Sequence, residues 1–252
     1  MSPQLRWFLL FLVVLGALLI ATAIFLGPNI LGFVFHEERR TAPFVMVNLL
    51  DFRDAGAIER FRHGDRAPLM GLTDGFGARP LWTARLDRVV AGGEHDRWGA
   101  VALVEYPSRA AFVDMVTGGE YRAGSELRSA TFERTALLAG TSRTPFVETP
   151  LALYALRFIQ FSSGKGGDDF LGAWLPKEAD LLQRHGAVIV WDARLNLLVG
   201  ATEDEFDHVL LAGFPDEQSL REWVDDPERG TMSSLERRYV RRDVVLALHS
   251  AP

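Results

Sequence analysis

An internal repeat constrains the fold of this chain more than any other feature of its sequence. Segments 77–86 (GARPLWTARL) and 186–195 (GAVIVWDARL) share Gly, Ala, Trp, Ala, Arg and Leu at matching positions. A second pair of similar segments follows, and the alignment then runs without a gap to Arg134 in the first copy and Arg242 in the second. One short match can arise by chance in a chain rich in Ala, Arg and Leu, whereas collinear matches favour a duplication. We therefore expect two structural units built on the same plan.

Both copies show the same order of predicted elements. Segments rich in β-branched and aromatic residues and bounded by Gly, Pro and Ser indicate strands, and apolar residues three or four positions apart indicate helices between them. In the first copy the strands are predicted at 44–52, 81–90, 101–106 and 136–139. In the second copy they are predicted at 151–160, 187–199, 206–214 and 243–249. The resulting order, β-α-β-β-α-β, is that of a ferredoxin-like unit and places the protein in the α+β class.

The boundaries of the two units follow from this pattern. We expect the first unit at 44–140 and the second at 151–249. Residues 141–150 (TSRTPFVETP) contain two prolines and predict a linker between the units. The first strand, 44–52, is apolar on both faces apart from Asn48, so both faces of its sheet are expected to be covered.

An apolar segment precedes the two units. Residues 7–26 (WFLLFLVVLGALLIATAIFL) carry no charge, and twenty residues at helical rise match the hydrocarbon thickness of a bilayer. We predict a single-pass transmembrane helix within an N-terminal anchor at 1–35, and hence a cell-membrane protein in contact with the lipid bilayer. A cleaved signal peptide ending at Ala21-Thr-Ala23 is the alternative. Basic residues flank the segment on both sides, so the side of the membrane that holds the two units is undetermined.

Composition excludes several kinds of site. The chain has 33 acidic and 27 basic residues, and an acidic protein is a poor partner for nucleic acid. It has no cysteine, which excludes disulfides, thiolate catalysis and cysteine-ligated metals. The six histidines show no spacing typical of a metal site. We therefore expect neither a metal nor a cofactor, and the oligomeric state is left open.

Three short motifs of the first unit resemble domain-of-unknown-function family 1330. They are Val47-Asn-Leu-Leu-Asp-Phe52, Val104-Glu-Tyr-Pro-Ser108 and Glu120-Tyr-Arg-Ala123, and they extend over nearly all of residues 44–140. The resemblance implies the dimeric α+β barrel superfamily, in which two ferredoxin-like units pair their sheets into one barrel. It implies no activity, since fold does not determine function. We therefore expect the two units of this chain to form one intrachain barrel.

Two arginines at equivalent positions of the repeat are candidate ligand-binding residues. Arg85 and Arg194 stand on predicted strands that are otherwise apolar, where a charge is costly unless it is paired or solvated. In a barrel, the sheet face away from the helices lines an interior cleft, so both guanidinium groups are expected to reach into that cleft and bind an oxyanion. Structural salt bridges are the alternative, with Arg85 paired to Glu105 and Arg194 paired to Asp192 or its neighbours.

Three further polar residues are candidates for the same ligand site. Asn48 in the first unit and Arg157 in the second occupy equivalent positions of otherwise apolar strands. Each is expected to contact a ligand or, alternatively, to fix the sheet by hydrogen bonds. Glu105 is a candidate general base if apolar surroundings raise its pKa, and a partner for Arg85 otherwise.

Three functions are compatible with these features. The first is a membrane-tethered binding or sensing module that takes a small anionic or aromatic molecule in the barrel cleft. The second is a cofactor-independent enzyme, because relatives of the implied fold perform monooxygenase- and isomerase-like chemistry. The third is a structural partner in a membrane complex without a ligand. The sequence alone does not decide whether the protein is an enzyme.

Overall fold

The computed structural model describes residues 41–61, 75–119, 121, 124–162, 167–229, 236 and 238–250. Its strands are β1 (Phe44–Phe52), β2 (Arg79–Ala91), β3 (Ala100–Tyr106), β4 (Phe132–Thr144), β5 (Leu153–Phe161), β6 (Val188–Val199), β7 (His208–Phe214) and β8 (Val240–Ser250). Its helices include α1 (Ala55–Arg60), α2 (Arg109–Thr117), α3 (Ser125–Thr131), α4 (Gly167–Arg184) and α5 (Glu217–Asp225).

The eight strands close into one antiparallel barrel. Their order around the barrel is β1-β3-β2-β8-β5-β7-β6-β4. Strands β1 to β4 come from the first unit and β5 to β8 from the second, and the units meet at two seams, β2 with β8 and β4 with β6. The α+β class with two ferredoxin-like halves, expected from the repeat, and the barrel implied by the family resemblance are both confirmed.

The backbone of the two units matches in detail. Gly77 and Gly186 precede β2 and β6 with φ of 69° and 70°, a conformation that favours glycine. A Cβ built on either glycine lies 3.5 Å from a proline ring, that of Pro107 in the first unit and Pro215 in the second. A β-bulge precedes Trp82 in β2, and another occurs at the equivalent place in β6. These shared irregularities support the duplication that the sequence predicts.

The barrel interior is filled by apolar side chains. Alternate residues of each strand point inward, as the period of a strand requires. The buried interior residues include Val47, Leu49, Trp82, Ala84, Leu103, Leu138, Leu156, Phe158, Trp191, Ala193, Leu211 and Leu246. The expectation of a ligand cleft between the described strands is therefore wrong, because these side chains occupy that space.

The two units differ in how their outer sheet face is covered. In the second unit α4 and α5 bury a large apolar layer that includes Phe170, Trp174 and Trp223. The described part of the first unit has a smaller layer around Phe44 and Phe112. Among the described residues, the outer sheet face of the second unit is therefore the more deeply buried one. A polar side chain on that face needs a hydrogen-bonding or ionic partner.

Strand β4 is longer than the sequence predicts. Its pattern indicates 136–139, whereas the strand runs from Phe132 to Thr144 and enters the predicted linker. The added residues pair across the seam, for example Thr141 with Arg194. Such pairing depends on a strand of the other unit and leaves no local pattern in the sequence.

The predicted membrane anchor at 1–35, with its helix at 7–26, lies outside the described residues. Within the part of the chain that the structure describes, no helix combines the length and the apolar character needed to cross a membrane.

Candidate functional site

Arg85 and Arg194 lie on the outside of the barrel. The neighbouring Trp82, Ala84 and Ala193 face inward, so the arginines, at intervening positions, face outward and are exposed. Arg194 forms an ion pair with Asp168 at the start of α4. The expectation that both guanidinium groups point into the barrel is wrong, because the apolar face of each strand is the one that gains from burial.

Glu105 does not contact Arg85. The register of β2 and β3 places Glu105 opposite Arg79, and Arg85 opposite Ala100. The Glu105 carboxylate accepts a hydrogen bond of 2.8 Å from Arg79 Nη2 on the protein surface. The predicted Arg85–Glu105 pair is wrong, since the two side chains stand at opposite ends of the paired segment.

Asn48 and Arg157 lie at equivalent places on the outer sheet face and are held differently. Asn48 Nδ2 donates to the carbonyl oxygens of Met46, at 3.2 Å, and Ala102, at 3.1 Å. Arg157 is buried, and its guanidinium donates to Asp243 at 2.7 and 2.8 Å. Both interactions fit the alternative role that the sequence left open, which is to fix the geometry of the sheet.

Arg157 stands at the centre of a buried ionic network in the second unit. It donates to Glu236 at 2.6 Å and lies 3.4 Å from the carboxylate of Glu178 on α4. Glu178 also accepts a hydrogen bond of 3.2 Å from Trp223 Nε1. Burial raises the pKa of Glu178, and the Arg157 charge opposes that rise. The network joins β5, β8 and α4, and its donors and acceptors are engaged with one another.

An open cavity of about 410 Å³ lies at one end of the barrel. We call this place the first corner. It is formed by the end of β1, the loop between β2 and β3, and the start of β4. The lining residues are Asp51, Glu94, His95, Arg97, Trp98, Gly99 and Arg134. Of the predicted site residues, Arg85, Arg194, Asn48, Arg157 and Glu105, none lines this cavity.

A tight loop shapes the first corner. Gly92, with φ of 128°, turns the chain after β2. The buried carboxylate of Asp96 then accepts a hydrogen bond of 2.7 Å from the backbone N–H of Gly93, which fixes the turn. Gly99 closes the loop by donating its N–H to the Leu50 carbonyl at 2.9 Å. The loop thereby presents His95 and Arg97 to the cavity.

Arg134, at the start of β4, contacts this loop through its guanidinium group. Its guanidinium carbon lies 3.7 Å from the centre of the Trp98 ring, a cation–π contact. Its Nη2 donates to the carbonyl oxygens of His95, at 2.8 Å, and Arg97, at 3.0 Å. Both hydrogen bonds of Nη2 are therefore made to the backbone of the loop, and Arg134 holds the loop in place.

Arg97 is the accessible cation of the cavity. Within the described parts of the chain, its guanidinium has no hydrogen bond and no ion pair, and the side chain is exposed. Glu94 is also exposed and adds an acidic group to the rim. The cavity therefore offers both a donor fork and carboxylate acceptors to a small polar molecule.

Asp51 adds a carboxyl group to the cavity, and His95 adds an imidazole. Burial raises the pKa of Asp51, while Arg134, 3.9 Å away, opposes that rise. His95 Nε2 lies 2.9 Å from the Asp204 carboxylate, which belongs to the second unit. Such a combination of a carboxyl group, an imidazole and a guanidinium can bind and polarise an acidic ligand.

The second unit has an equivalent place, which we call the second corner. It comprises Gln160 at the end of β5, residues 202–207, and Arg242 at the start of β8. Glu203 stands where His95 stands in the first unit, and Glu205 stands where Arg97 stands. The repeat thus keeps the loop but places the acidic Glu205 where the first unit has the basic Arg97.

The sequence contained a signal for this site that residue patterns on strands do not capture. The alignment of the repeat ends at Arg134 and Arg242, and the aligned loops differ in charge at residues 94–97 (EHDR) and 202–205 (TEDE). Charged loop residues that differ between otherwise matching copies mark the places where one copy has taken a separate role.

Comparison with known proteins defines the class by fold. Solved structures that share the barrel include an anthrone oxidase-like protein, with a TM-score of 0.59 and 12% identity over 83% of this chain and 92% of that one. A variant of chlorite dismutase from Candidatus Nitrospira defluvii has a TM-score of 0.53 and 11% identity, over 86% of this chain and 95% of that one. A "putative monooxygenase" from Lactobacillus acidophilus has a TM-score of 0.51 and 9% identity, over 83% of this chain and 94% of that one.

These similarities establish a dimeric α+β barrel fold and leave the particular family open. The sequence matches no protein-family model, and no curated protein matches it. The dimeric α+β barrel implied by the sequence motifs is confirmed, whereas membership of domain-of-unknown-function family 1330 stays a prediction.

Proposed function

We propose that the protein is a binding module for a small organic acid, and that the cavity of the first corner is its ligand site. The observation that carries this proposal is Arg97, an exposed guanidinium that lines a cavity of about 410 Å³ and forms no hydrogen bond or ion pair with the described residues. A carboxylate matches the two-pronged donor geometry of guanidinium. Cavities of this size suit small organic ligands.

The second corner supports the same proposal by contrast. Its exposed Glu203 and Glu205 replace His95 and Arg97, so an organic acid meets repulsion there. One ligand per chain is therefore expected, bound at the first corner.

Calorimetry with 4-hydroxybenzoate tests this proposal. This probe has a carboxylate at one end and a hydroxyl donor at the other. Wild-type protein is expected to bind it, and Arg97→Met, which keeps an unbranched side chain and removes the donors, is expected to weaken binding about 10- to 100-fold. The control is Arg79→Met, which removes an exposed arginine outside the cavity and should leave binding unchanged. Equal binding by wild type and Arg97→Met would exclude the cavity as the site.

A second candidate is a cofactor-independent enzyme of the monooxygenase type. The raised pKa of Asp51 favours it, since a raised pKa makes a carboxylate a stronger base toward a substrate proton. The fold neighbours named as an anthrone oxidase-like protein and a "putative monooxygenase" motivate the choice of reaction. Oxygen uptake with anthrone, compared between wild type and Asp51→Asn, tests this candidate. No uptake by wild type above the rate of Asp51→Asn would reject it.

The location of the module is also part of our proposal. The uncharged run at 7–26 supports a single-pass anchor that tethers the barrel to the cell membrane. Extraction of membranes with alkaline carbonate should leave the full-length protein in the pellet. A mature protein that begins after Ala23 would instead support a cleaved signal peptide. A purely structural role in a membrane complex predicts the anchor and no ligand.

A further inference from the structure

One residue of the first-corner cavity is held by the other half of the chain. His95 belongs to the first unit, and its Nε2 lies 2.9 Å from Oδ1 of Asp204, in the loop between β6 and β7. The Asp204 side chain is only 2% exposed. Its other oxygen, Oδ2, accepts a hydrogen bond of 2.9 Å from the backbone N–H of Ala201. Both oxygens are therefore fixed, and the carboxylate cannot rotate without losing a partner.

This contact determines which ring nitrogen of His95 carries the hydrogen. A carboxylate only accepts hydrogen bonds, so the nitrogen that faces it must donate. Nε2 therefore carries the hydrogen in the neutral ring, and the lone pair is on Nδ1. The side chain of His95 is 41% exposed and lines the cavity, so this lone pair can reach a ligand.

Arg134 does not block Nδ1. Its Nη1 is 3.1 Å from Nδ1 and also 3.1 Å from Nε2 of His95. A point in the ring plane at that distance from both nitrogens would collide with ring carbons, so Nη1 lies over the face of the imidazole. The in-plane lone pair of Nδ1 is not aligned with a hydrogen of Arg134. The guanidinium thus contacts the face of the Trp98 ring and, through Nη1, the face of the His95 ring.

We propose that Asp204 is a positioning residue for the ligand site of the first corner. It holds His95 as a hydrogen-bond acceptor at Nδ1, so the ligand carries an O–H or N–H donor in addition to the acid group that Arg97 binds. The ligand class is therefore a small hydroxy or amino acid, read by residues that two units bring together. This inference rests on the proposed function, and it adds the second group that the ligand must carry.

The contact between Asp204 and His95 has an equivalent at the second corner. Asp96 is the equivalent of Asp204, and its Oδ2 accepts a hydrogen bond from the Gly93 N–H. Its Oδ1 forms an ion pair across the seam with Arg242. Asp96 thus has the same loop contact and the same cross-unit partnership, but its partner is no histidine. Substitution of either aspartate removes a buried carboxylate from an equivalent loop.

Asparagine at position 204 reverses the polarity of the contact with His95. In Asp204→Asn, the side-chain carbonyl keeps the hydrogen bond to Ala201 N–H, which turns the amide NH₂ toward Nε2. An amide NH₂ donates, so Nε2 must accept and the ring hydrogen moves to Nδ1. The nitrogen-15 chemical shifts of the imidazole report this change of tautomer directly, with or without ligand.

The experiment combines that spectrum with binding of two probes, 4-hydroxybenzoate and benzoate, which lacks the donor. In Asp204→Asn we expect the His95 tautomer to change and the affinity for 4-hydroxybenzoate to fall roughly 10- to 100-fold, because a donor then faces a donor. The affinity for benzoate should change by less than about 3-fold, since benzoate forms no hydrogen bond that depends on Nδ1. Arg79→Met, which removes an exposed arginine outside the cavity, should alter neither the tautomer nor the ratio of the two affinities.

Failure of the inference is distinguishable from failure of the proposed function. An unchanged ratio of affinities in Asp204→Asn, or wild-type His95 with its hydrogen on Nδ1, would overturn the role of Asp204 and leave acid binding intact. If wild type binds neither probe, the ligand class falls together with the proposed function, and the spectrum still decides whether Asp204 sets the tautomer. If Asp204→Asn does not fold, the wild-type spectrum and a His95→Gln variant take its place. Loss of the preference for 4-hydroxybenzoate in His95→Gln would support the inference, and a retained preference would overturn it.

Discussion

The first and second corners of the barrel share a backbone and differ in their surfaces. Each begins at a glycine with positive φ, Gly92 at 128° and Gly200 at 141°. Each closes on the strand beside it, since Gly99 N–H donates to Leu50 and Asp207 N–H donates to Ile159, both at 2.9 Å. The duplicated loop is therefore a rigid support on which each unit carries different chemistry.

The residues at equivalent positions 99 and 207 explain why the cavity lies at the first corner. In the second corner the Asp207 carboxylate accepts a hydrogen bond of 2.7 Å from Phe161 N–H and ties the loop to β5. In the first corner Gly99 stands at that position, and the Phe52 ring packs against it. The first unit carries the exposed polar cavity, and the second unit carries the buried ionic network around Arg157. The buried network thus lies in one unit and the open surface in the other.

The largest expected effect is at Arg157. Arg157→Met leaves the carboxylates of Glu178, Glu236 and Asp243 without their common cation, and breaking a buried ion pair on one side costs about 3–5 kcal/mol. Urea unfolding measures the loss. The matched variant in the first unit is Asn48→Ala, for which we expect about 1 kcal/mol, since only two hydrogen bonds to backbone carbonyls are lost. Equal losses would contradict the assignment of the stabilising network to the second unit.

The next effect concerns pH and a second buried pair of the second unit. Asp192 lies 3.1 Å from His208 Nε2, without the alignment of a hydrogen bond, and 3.3 Å from Arg143. Burial raises the pKa of Asp192 from 3.8 to about 6 and lowers the pKa of His208 from 6.5 to about 3.

The two shifts act in opposite directions between pH 4 and pH 6. Asp192 is protonated to a greater extent in the folded state than in the unfolded state, so its contribution to the free energy of unfolding falls as the pH rises. His208 is protonated to a smaller extent in the folded state than in the unfolded state, so its contribution to the free energy of unfolding rises with pH. Between these pH values we expect the free energy of unfolding, relative to wild type, to fall by about 2–3 kcal/mol in His208→Gln and to rise by about 2 kcal/mol in Asp192→Asn. Parallel pH profiles of both variants would contradict this balance.

A smaller effect is expected at Gly99. A Cβ at this position would lie 2.7 Å from the Phe52 ring, which is itself packed against Phe61 and Phe132. Gly99→Ala should therefore cost about 1–3 kcal/mol and narrow the first corner. Asp207→Ala, the change to the same residue at the equivalent position, should cost about 1 kcal/mol through loss of the Phe161 contact. Thermal unfolding compares the two, and a Gly99→Ala variant as stable as wild type would mean that the first corner is not shaped by this glycine.

The smallest effect is expected at Arg85. The side chain is exposed on the outer face and does not meet Glu105, so Arg85→Met should change the free energy of unfolding by less than about 0.5 kcal/mol. Calorimetry should also find 4-hydroxybenzoate binding unchanged. A large loss of stability that Glu105→Gln restores would revive the salt bridge that the sequence suggested.

The fold was open to prediction from the sequence because its signals are local and occur twice. Strand β1 is found at the predicted residues 44–52, and the collinear repeat was enough to anticipate two ferredoxin-like units. The face of β2 that turns inward was predicted incorrectly. Alternation places Trp82 and Arg85 on opposite faces of β2. Which face lies inside the barrel depends on packing against the other strands, and the structure shows that it is the face of Trp82.

The candidate site was not predicted because it depends on contacts between distant residues. Asp51 ends one strand, Arg134 begins another, and Asp204 comes from the other unit. The loop that carries His95 and Arg97 has no periodic pattern, so no rule for strands or helices applies to it. Only closure of the barrel brings these groups to one corner.

A crystal structure of the protein grown with 4-hydroxybenzoate tests the central claim most directly. We predict one molecule per chain at the first corner, with its carboxylate on the Arg97 guanidinium and its hydroxyl directed to His95 Nδ1. The second corner, with Glu203 and Glu205 in the equivalent positions, should be empty. A probe bound at the second corner, or bound elsewhere with the first corner empty, would contradict the division of roles between the two units.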